Sequence, residues 1–185
     1  MLNRKNAFIF LANGFEEIEA VATIDVLRRG NVPVTIVSIT KDLKVTGAHN
    51  INIVADVLFE DVAFDGSELL ILPGGMPGAQ NLQNHEALGK LLKSHFEKNK
   101  LVAAICAAPK VLGHLNILTG KSATCYPGFE NELTGAVLSN NGTVKDGNVV
   151  TAKGPVFAIE FGLQLVEILQ GKEVADKVAQ GMLMR

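Results

Sequence analysis

The order of apolar runs along this chain predicts an α/β fold, a doubly wound sheet with helices on both faces. Three observations carry that expectation. Residues 7–12, residues 69–72 and Leu101–Ile105 are continuous apolar runs, the pattern of strands buried on both faces in a parallel sheet. Stretches with helical spacing lie between them, and their order repeats strand, helix, strand. In such sheets ligands gather at the carboxyl ends of the strands.

Taken in order, residues 7–12 read as the first strand, residues 15–29 as a helix closed by Gly30, and residues 34–39 as a second strand. A shorter extended piece follows at residues 50–54, and the run at 69–72 stops at Pro73-Gly74-Gly75. Over residues 86–98, Leu88, Leu91, Leu92 and Phe96 fall on one helical face, ahead of the strand Leu101–Ile105. The helix after Cys106 carries Val111, Leu112 and Leu115. In "TVKDGNVVT", Asp146-Gly147 between β-branched residues predicts a hairpin. Pro155 opens a long apolar helix to about Leu169, where its missing N–H costs little. A short helix over residues 173–182 closes the chain.

With 185 residues, 48% of them hydrophobic, the chain can bury one substantial core, and we expect a single domain over residues 1–185. A net charge of −2, from 17 basic and 19 acidic residues, leaves no basic patch for nucleic acid. The N-terminus has a basic start and a short apolar run, but that run meets Gly14, Glu16 and Glu17 instead of a small-residue cleavage site, so it reads as a strand. No run approaches the ~20 apolar residues that span a bilayer. Two cysteines are too few for a disulfide framework, and a reducing cytoplasm is the expected compartment.

Cys106 stands where a buried strand turns into a helix. The helix dipole and unpaired amides there should lower the thiol below its free value of ~8.5, and a sharp turn should push the side chain toward solvent. The bland alternative is a small buried hydrophobe. Cys125 alternates like an ordinary strand residue and is assigned to the core. A base is needed, and the four histidines, His49, His85, His95 and His114, offer no partner by spacing. His85 and His95 read as structural or solvated, and His114 lies about two helical turns past the cysteine.

"NGFEEIEA" supplies carboxylates instead. Glu19 shares a helical stripe with Phe15, Ala22 and Val26, which predicts an inward glutamate whose carboxyl is raised by desolvation. Glu17 reads as a solvated first-turn acid, and Glu16 is less clear. All three could also merely serve the helix N-terminus. "LPGGMPGAQNL" lacks the endings of a phosphate loop. Gly74 and Gly75 suit close backbone approach, and an amide from this turn with that of Ala107 would suit a developing oxyanion.

In this order, "GFEEIEAV", "LPGGMPGAQNL", "AAICAAPKVL" and "KGPVFAIEFGLQLVEILQGKEVA" resemble the ThiJ/PfpI superfamily, most nearly its parkinsonism-associated deglycase (DJ-one) branch, over almost the whole chain. The resemblance implies a flavodoxin-like three-layer sandwich with a mostly parallel sheet, and a homodimer with the pocket near the subunit interface. It makes Cys106 the reactive cysteine, Glu19 the buried glutamate that hydrogen-bonds it, and Gly75 and Ala107 the source of amides around the same pocket. Tyr126-Pro127 stands where some members carry a histidine followed by proline, and Ala107 stands where the protease-like branch has histidine. Both departures argue against a Cys-His triad. His49 and Lys153 replace two family arginines near the pocket, and Lys cannot reproduce the planar fork of Arg.

The implied activity is metal- and cofactor-independent glyoxalase or deglycase chemistry on small 2-oxoaldehydes such as methylglyoxal, or on glycated substrates. The rival from another class is a redox sensor or stress chaperone in which Cys106 is oxidised to a sulfinic acid. Thiamine-type chemistry, suggested by the superfamily's label, finds no recognisable site.

Overall fold

The computed structural model describes residues 6–184. The basic start of the chain, Arg4 and Lys5, lies outside them. The strands are β1 (Asn6–Leu11), β2 (Val34–Ser38), β3 (Lys44–Thr46), β4 (Asn52–Val54), β5 (Val57–Leu58), β6 (Ser67–Leu72), β7 (Leu101–Ile105), β8 (Ser122–Ala123), β9 (Val137–Leu138), β10 (Thr143–Asp146) and β11 (Val149–Ala152). The helices are α1 (Glu17–Arg29), α2 (Gly78–Asn84), α3 (Glu86–Glu97), α4 (Pro109–His114), α5 (Ala158–Gln170) and α6 (Lys172–Gly181).

Seven strands form the central sheet in the order β10-β11-β7-β6-β1-β2-β5. Every pairing in it is parallel except β10 with β11, the expected hairpin, whose turn falls one residue later at Gly147-Asn148 because Asp146 still pairs with Val149. Gly147 supplies the positive φ, 59°, that a tight hairpin turn requires. Alternation along β1 divides the interior: Ala7, Ile9 and Leu11 join the layer holding Ile24, Leu27, Phe161 and Leu165, whereas Phe8 and Phe10 join that of Leu82, Leu88, Leu92 and Leu112. The result is the flavodoxin-like sandwich, with α1, α5 and α6 on one face and α2, α3 and α4 on the other.

Two of the expected segments differ in detail, and one helix was not expected. Residues 50–54 contribute β4 to a separate two-stranded hairpin with β3, outside the central sheet. Pro155 opens a 3-10 turn at Pro155–Phe157, and α5 starts only at Ala158. The segment Gly78–Asn84, which carries no apolar stripe, is helical because Ala79 and Leu82 are buried against the sheet. Among the described residues no helix is long and apolar enough to cross a membrane.

Candidate active site

β7 ends at Ile105, and the next residue reverses the chain. Cys106 has φ 64°, which a side chain other than glycine seldom adopts, and costs on the order of 1 kcal/mol or more. Its N–H donates to the Ala152 carbonyl at 2.8 Å, its carbonyl accepts from Tyr126 N–H at 2.8 Å, and Ala108 N–H returns to the Ile105 carbonyl at 3.0 Å. The end of β11 and the loop after β8 therefore both hold the elbow.

Glu19 lies on the inner stripe of α1, is wholly buried and sits beside Cys106, with its Oε1 left without a hydrogen-bond partner among the described residues. Its Oε2 accepts the Gly74 N–H at 2.8 Å. Burial pushes the carboxyl up to about 7, against the opposing pull of the neighbouring Cys106 and the Gly74 hydrogen bond, and the charge of Glu16 adds to the rise. The amides of Gly75 and Ala107 lie near the Cys106 sulfur and favour its charged form.

The glycine turn works by leaving room. A Cβ on Gly74 would meet Cys106 Cβ at 2.6 Å, Glu19 Oε2 at 2.8 Å and the Ile105 carbonyl at 2.9 Å. Gly75, at φ 85°, passes so close to α1 that a Cβ would reach Glu16 N at 2.4 Å. Glu16 N–H donates to the Gly74 carbonyl at 2.9 Å, fastening this turn to the start of α1.

Two expectations about the sulfur are corrected. Cys106 is only 8% exposed, so the turn does not project it into solvent. Nor is its thiol lowered: burial, then the neighbouring Glu19, push it up to about 12, against weaker help from the Gly75 and Ala107 amides. The dipole loses because α4 has six residues and begins at Pro109, beyond the turn that holds the sulfur.

Glu17 is corrected too. It is buried, its Oε1 accepts the His49 N–H at 2.7 Å, and its Oε2 meets His49 Nδ1 at 2.8 Å. Its cover comes from the residue 49–51 loop, which the helical spacing of α1 does not reveal. His49 is therefore joined to α1, with Glu16 Oε2 at 3.6 Å, and these acids raise its imidazole above the usual range. Glu16, Glu17 and His49 place one ligand atom each within 4.8 Å of one another, a grouping with room for a metal ion. Lys153 turns its ammonium to the Asn140 carbonyl at 2.7 Å. Tyr126 is about half exposed, with its ring beside Gly154.

The other titratable groups serve the scaffold. His85 caps α3, accepting the Leu88 N–H at 3.1 Å. His95 is buried, and burial lowers its imidazole to about 4, leaving it neutral. His114 is exposed. Lys110 is buried without any sequence signal, held by Gln80 Oε1 at 2.8 Å and Glu132 Oε2 at 3.1 Å. Cys125 is buried in the core as assigned.

Residues 5–168 match the model of the DJ-1/PfpI family. The chain is 42% identical over 183 residues to Protein DJ-1 homolog B of Arabidopsis thaliana, covering 98% of this chain but only 42% of that longer protein, so it spans less than half of that relative. It is 37% identical over 182 residues to Protein dj-1beta of Drosophila melanogaster, with 97% of both chains covered. Among solved structures, an oxidized Toxoplasma gondii DJ-1 superposes with a TM-score of 0.93 at 36% identity, covering 97% of this chain and 98% of the other.

Proposed function

The chain belongs to the DJ-1/PfpI family, and from that premise we propose a stress-response role in which Cys106 is the nucleophile of a cofactor-independent glyoxalase or deglycase. The substrates are 2-oxoaldehydes such as methylglyoxal, or their adducts. The observation that carries this reading is a wholly buried Glu19 beside Cys106, with a carboxyl raised to about 7 and one oxygen without a hydrogen-bond partner. An acid with that value is matched to moving protons near neutrality.

A thiol pushed up to about 12 is a poor standing nucleophile, so the proton leaves as the bond forms. The Cys106 proton passes to the Glu19 carboxylate while the sulfur adds to the aldehyde carbon, and the hemithioacetal forms once the alkoxide is protonated. The Gly75 and Ala107 amides steady the charge that develops. Glu19 then takes the proton from the former aldehyde carbon and delivers one to the adjacent carbonyl carbon through an enediol, giving a thioester. Water cleaves it, returning the thiol and releasing a 2-hydroxy acid. One water is consumed, the aldehyde carbon is oxidised, and its neighbour is reduced by the same amount. Lactate formation from methylglyoxal, followed in the wild type, Cys106→Ser and Glu19→Gln, tests the scheme; equal rates in all three reject it.

A second reading, a redox sensor or chaperone switched by oxidation of Cys106, is supported by the same amides and by Glu19, which in its protonated form can donate to a sulfinate oxygen. A solved Toxoplasma gondii relative is an oxidized form. Mass spectrometry after mild peroxide should find two added oxygens on Cys106 before Cys125; the reverse order rejects it.

We also propose a homodimer. Ile18 and Val21 on α1 are 58% and 49% exposed, and Ile51 and Val54, beside the β3–β4 hairpin that Glu17 ties to α1, are 57% and 69% exposed. A patch of this kind is covered by a partner in stable assemblies. Sedimentation should give twice the chain mass, and Val54→Lys should return it to the single-chain value.

A further inference from the structure

On the face of the sheet that carries α2, α3 and α4, a cleft of about 800 Å³ opens where α2 meets α3. Phe59, Val62 and Phe64, all partly exposed, line it from the segment between β5 and β6. Phe10 of β1 backs this group, its ring centroid 6.1 Å from that of Phe59 and 5.7 Å from that of Phe64, and the Phe59 and Phe64 centroids are 5.1 Å apart. His85 adds a fourth ring edge, 4.7 Å from Phe59 between centroids. Its Nδ1 accepts the Leu88 N–H, so in that role the ring proton stands on Nε2 and the imidazole brings no charge. The charged groups that line the cleft, Glu60 and Glu86, are both negative and exposed, and neither has an ion-pair partner among the described residues. No Lys or Arg lines the cleft. Cys106 packs with the opposite layer and takes no part in it.

These features select among guests by charge. An anion would face two carboxylates with no counter-charge, and a neutral apolar molecule would use the rings and leave the carboxylates idle. A cation with an apolar body uses both, because aromatic rings attract a cation through their quadrupole and the carboxylates attract it through their charge. The volume is that of an ordinary small-ligand site. We propose that this cleft binds a small organic ammonium ion bearing an apolar body. The site is separate from Cys106 and does not rest on the glyoxalase reading.

Benzyltrimethylammonium is the probe, with benzyl alcohol and benzoate as its neutral and anionic counterparts. Val62 and Leu91 both line the cleft, so their methyl groups report its occupancy by NMR on the full chain. The ammonium should shift both saturably, benzyl alcohol should bind at least about threefold more weakly, and benzoate should leave them unmoved. Glu60→Gln and Glu86→Gln, both at the surface, should each raise the Kd about threefold. Phe59→Leu, which keeps an apolar lining and removes one ring, should weaken the ammonium more than it weakens benzyl alcohol. Cys106→Ser should bind as the wild type does, so a protein that turns over no methylglyoxal can still uphold the site. Methyl resonances that stay put at millimolar ammonium, benzyl alcohol binding as tightly as the ammonium, or glutamine variants that match the wild type overturn the proposal. Methyl resonances that move on dilution with no ligand present would place a second copy of the chain in the cleft, and overturn it too.

Discussion

Cys106 and Cys125 look alike by the usual measures and differ in what surrounds them. Both are buried, at 8% and 4% exposure, and burial raises both thiols, to about 12 and about 11. Neither value marks a reactive cysteine. The difference is that Cys106 sits on an elbow at φ 64° beside a wholly buried carboxyl, whereas the charges bearing on Cys125 come from Glu130, Lys153 and Glu132, none of them buried. In the proposed chemistry, reactivity resides in a proton acceptor beside the sulfur, because a high thiol pKa is no barrier when the proton can leave with the attack.

The widest separation between the two should come from serine at each position. Cys106→Ser should reduce lactate formation from methylglyoxal to background, and Cys125→Ser should retain it; equal losses would dissolve the distinction. Next in size, Glu19→Gln should lower kcat/KM by about 10²- to 10³-fold. The wild-type rate should rise as pH passes through about 7, where Glu19 becomes the carboxylate base, and this limb should be missing from the variant.

Stability gives smaller contrasts. Gly74→Ala drives a Cβ into Cys106, Glu19 and the Ile105 backbone, and should cost about 2–3 kcal/mol in chemical denaturation. Gly128→Ala, beyond Cys125, meets open space and bears only the strain of φ 99°, about 1 kcal/mol. A Gly128 variant as unstable as the Gly74 one would show that crowding is not what reserves Gly74.

Glu19 also links stability to pH. Its folded value is raised, so its contribution is fully present below about 4.5 and lost as pH rises through about 7. The wild type should therefore lose on the order of 2–3 kcal/mol relative to Glu19→Gln between those limits. His95, lowered to about 4, acts in the opposite direction, losing its contribution as pH falls, but cancels in the difference between the two proteins. The smallest effect belongs to Cys125→Ala, a small core cavity worth about 1 kcal/mol that leaves turnover unchanged.

The parts of the fold legible in advance were those with a strong period. β7 falls at its expected residues, and the β10–β11 hairpin follows from Asp146-Gly147. Glu19 could be read as inward because its stripe mates, Phe15 and Val26, are apolar. Gly78–Asn84 was hidden because its sequence, "GAQNLQN", has too few apolar residues to show a period. Glu17 was misread because a helical wheel does not contain the residue 49–51 loop that covers it.

By itself, then, the sequence determined which residues face inward, where strands stop, and that one cysteine and one glutamate reach the same edge of the sheet, since these depend on local spacing and chain order. Only the tertiary structure decided their protonation. Desolvation of Cys106 and Glu19 depends on every atom packed around them, and those atoms come from β6, β7, α1 and the glycine turn, which are distant along the chain. Packing of the same kind sealed Glu17 beneath the residue 49–51 loop.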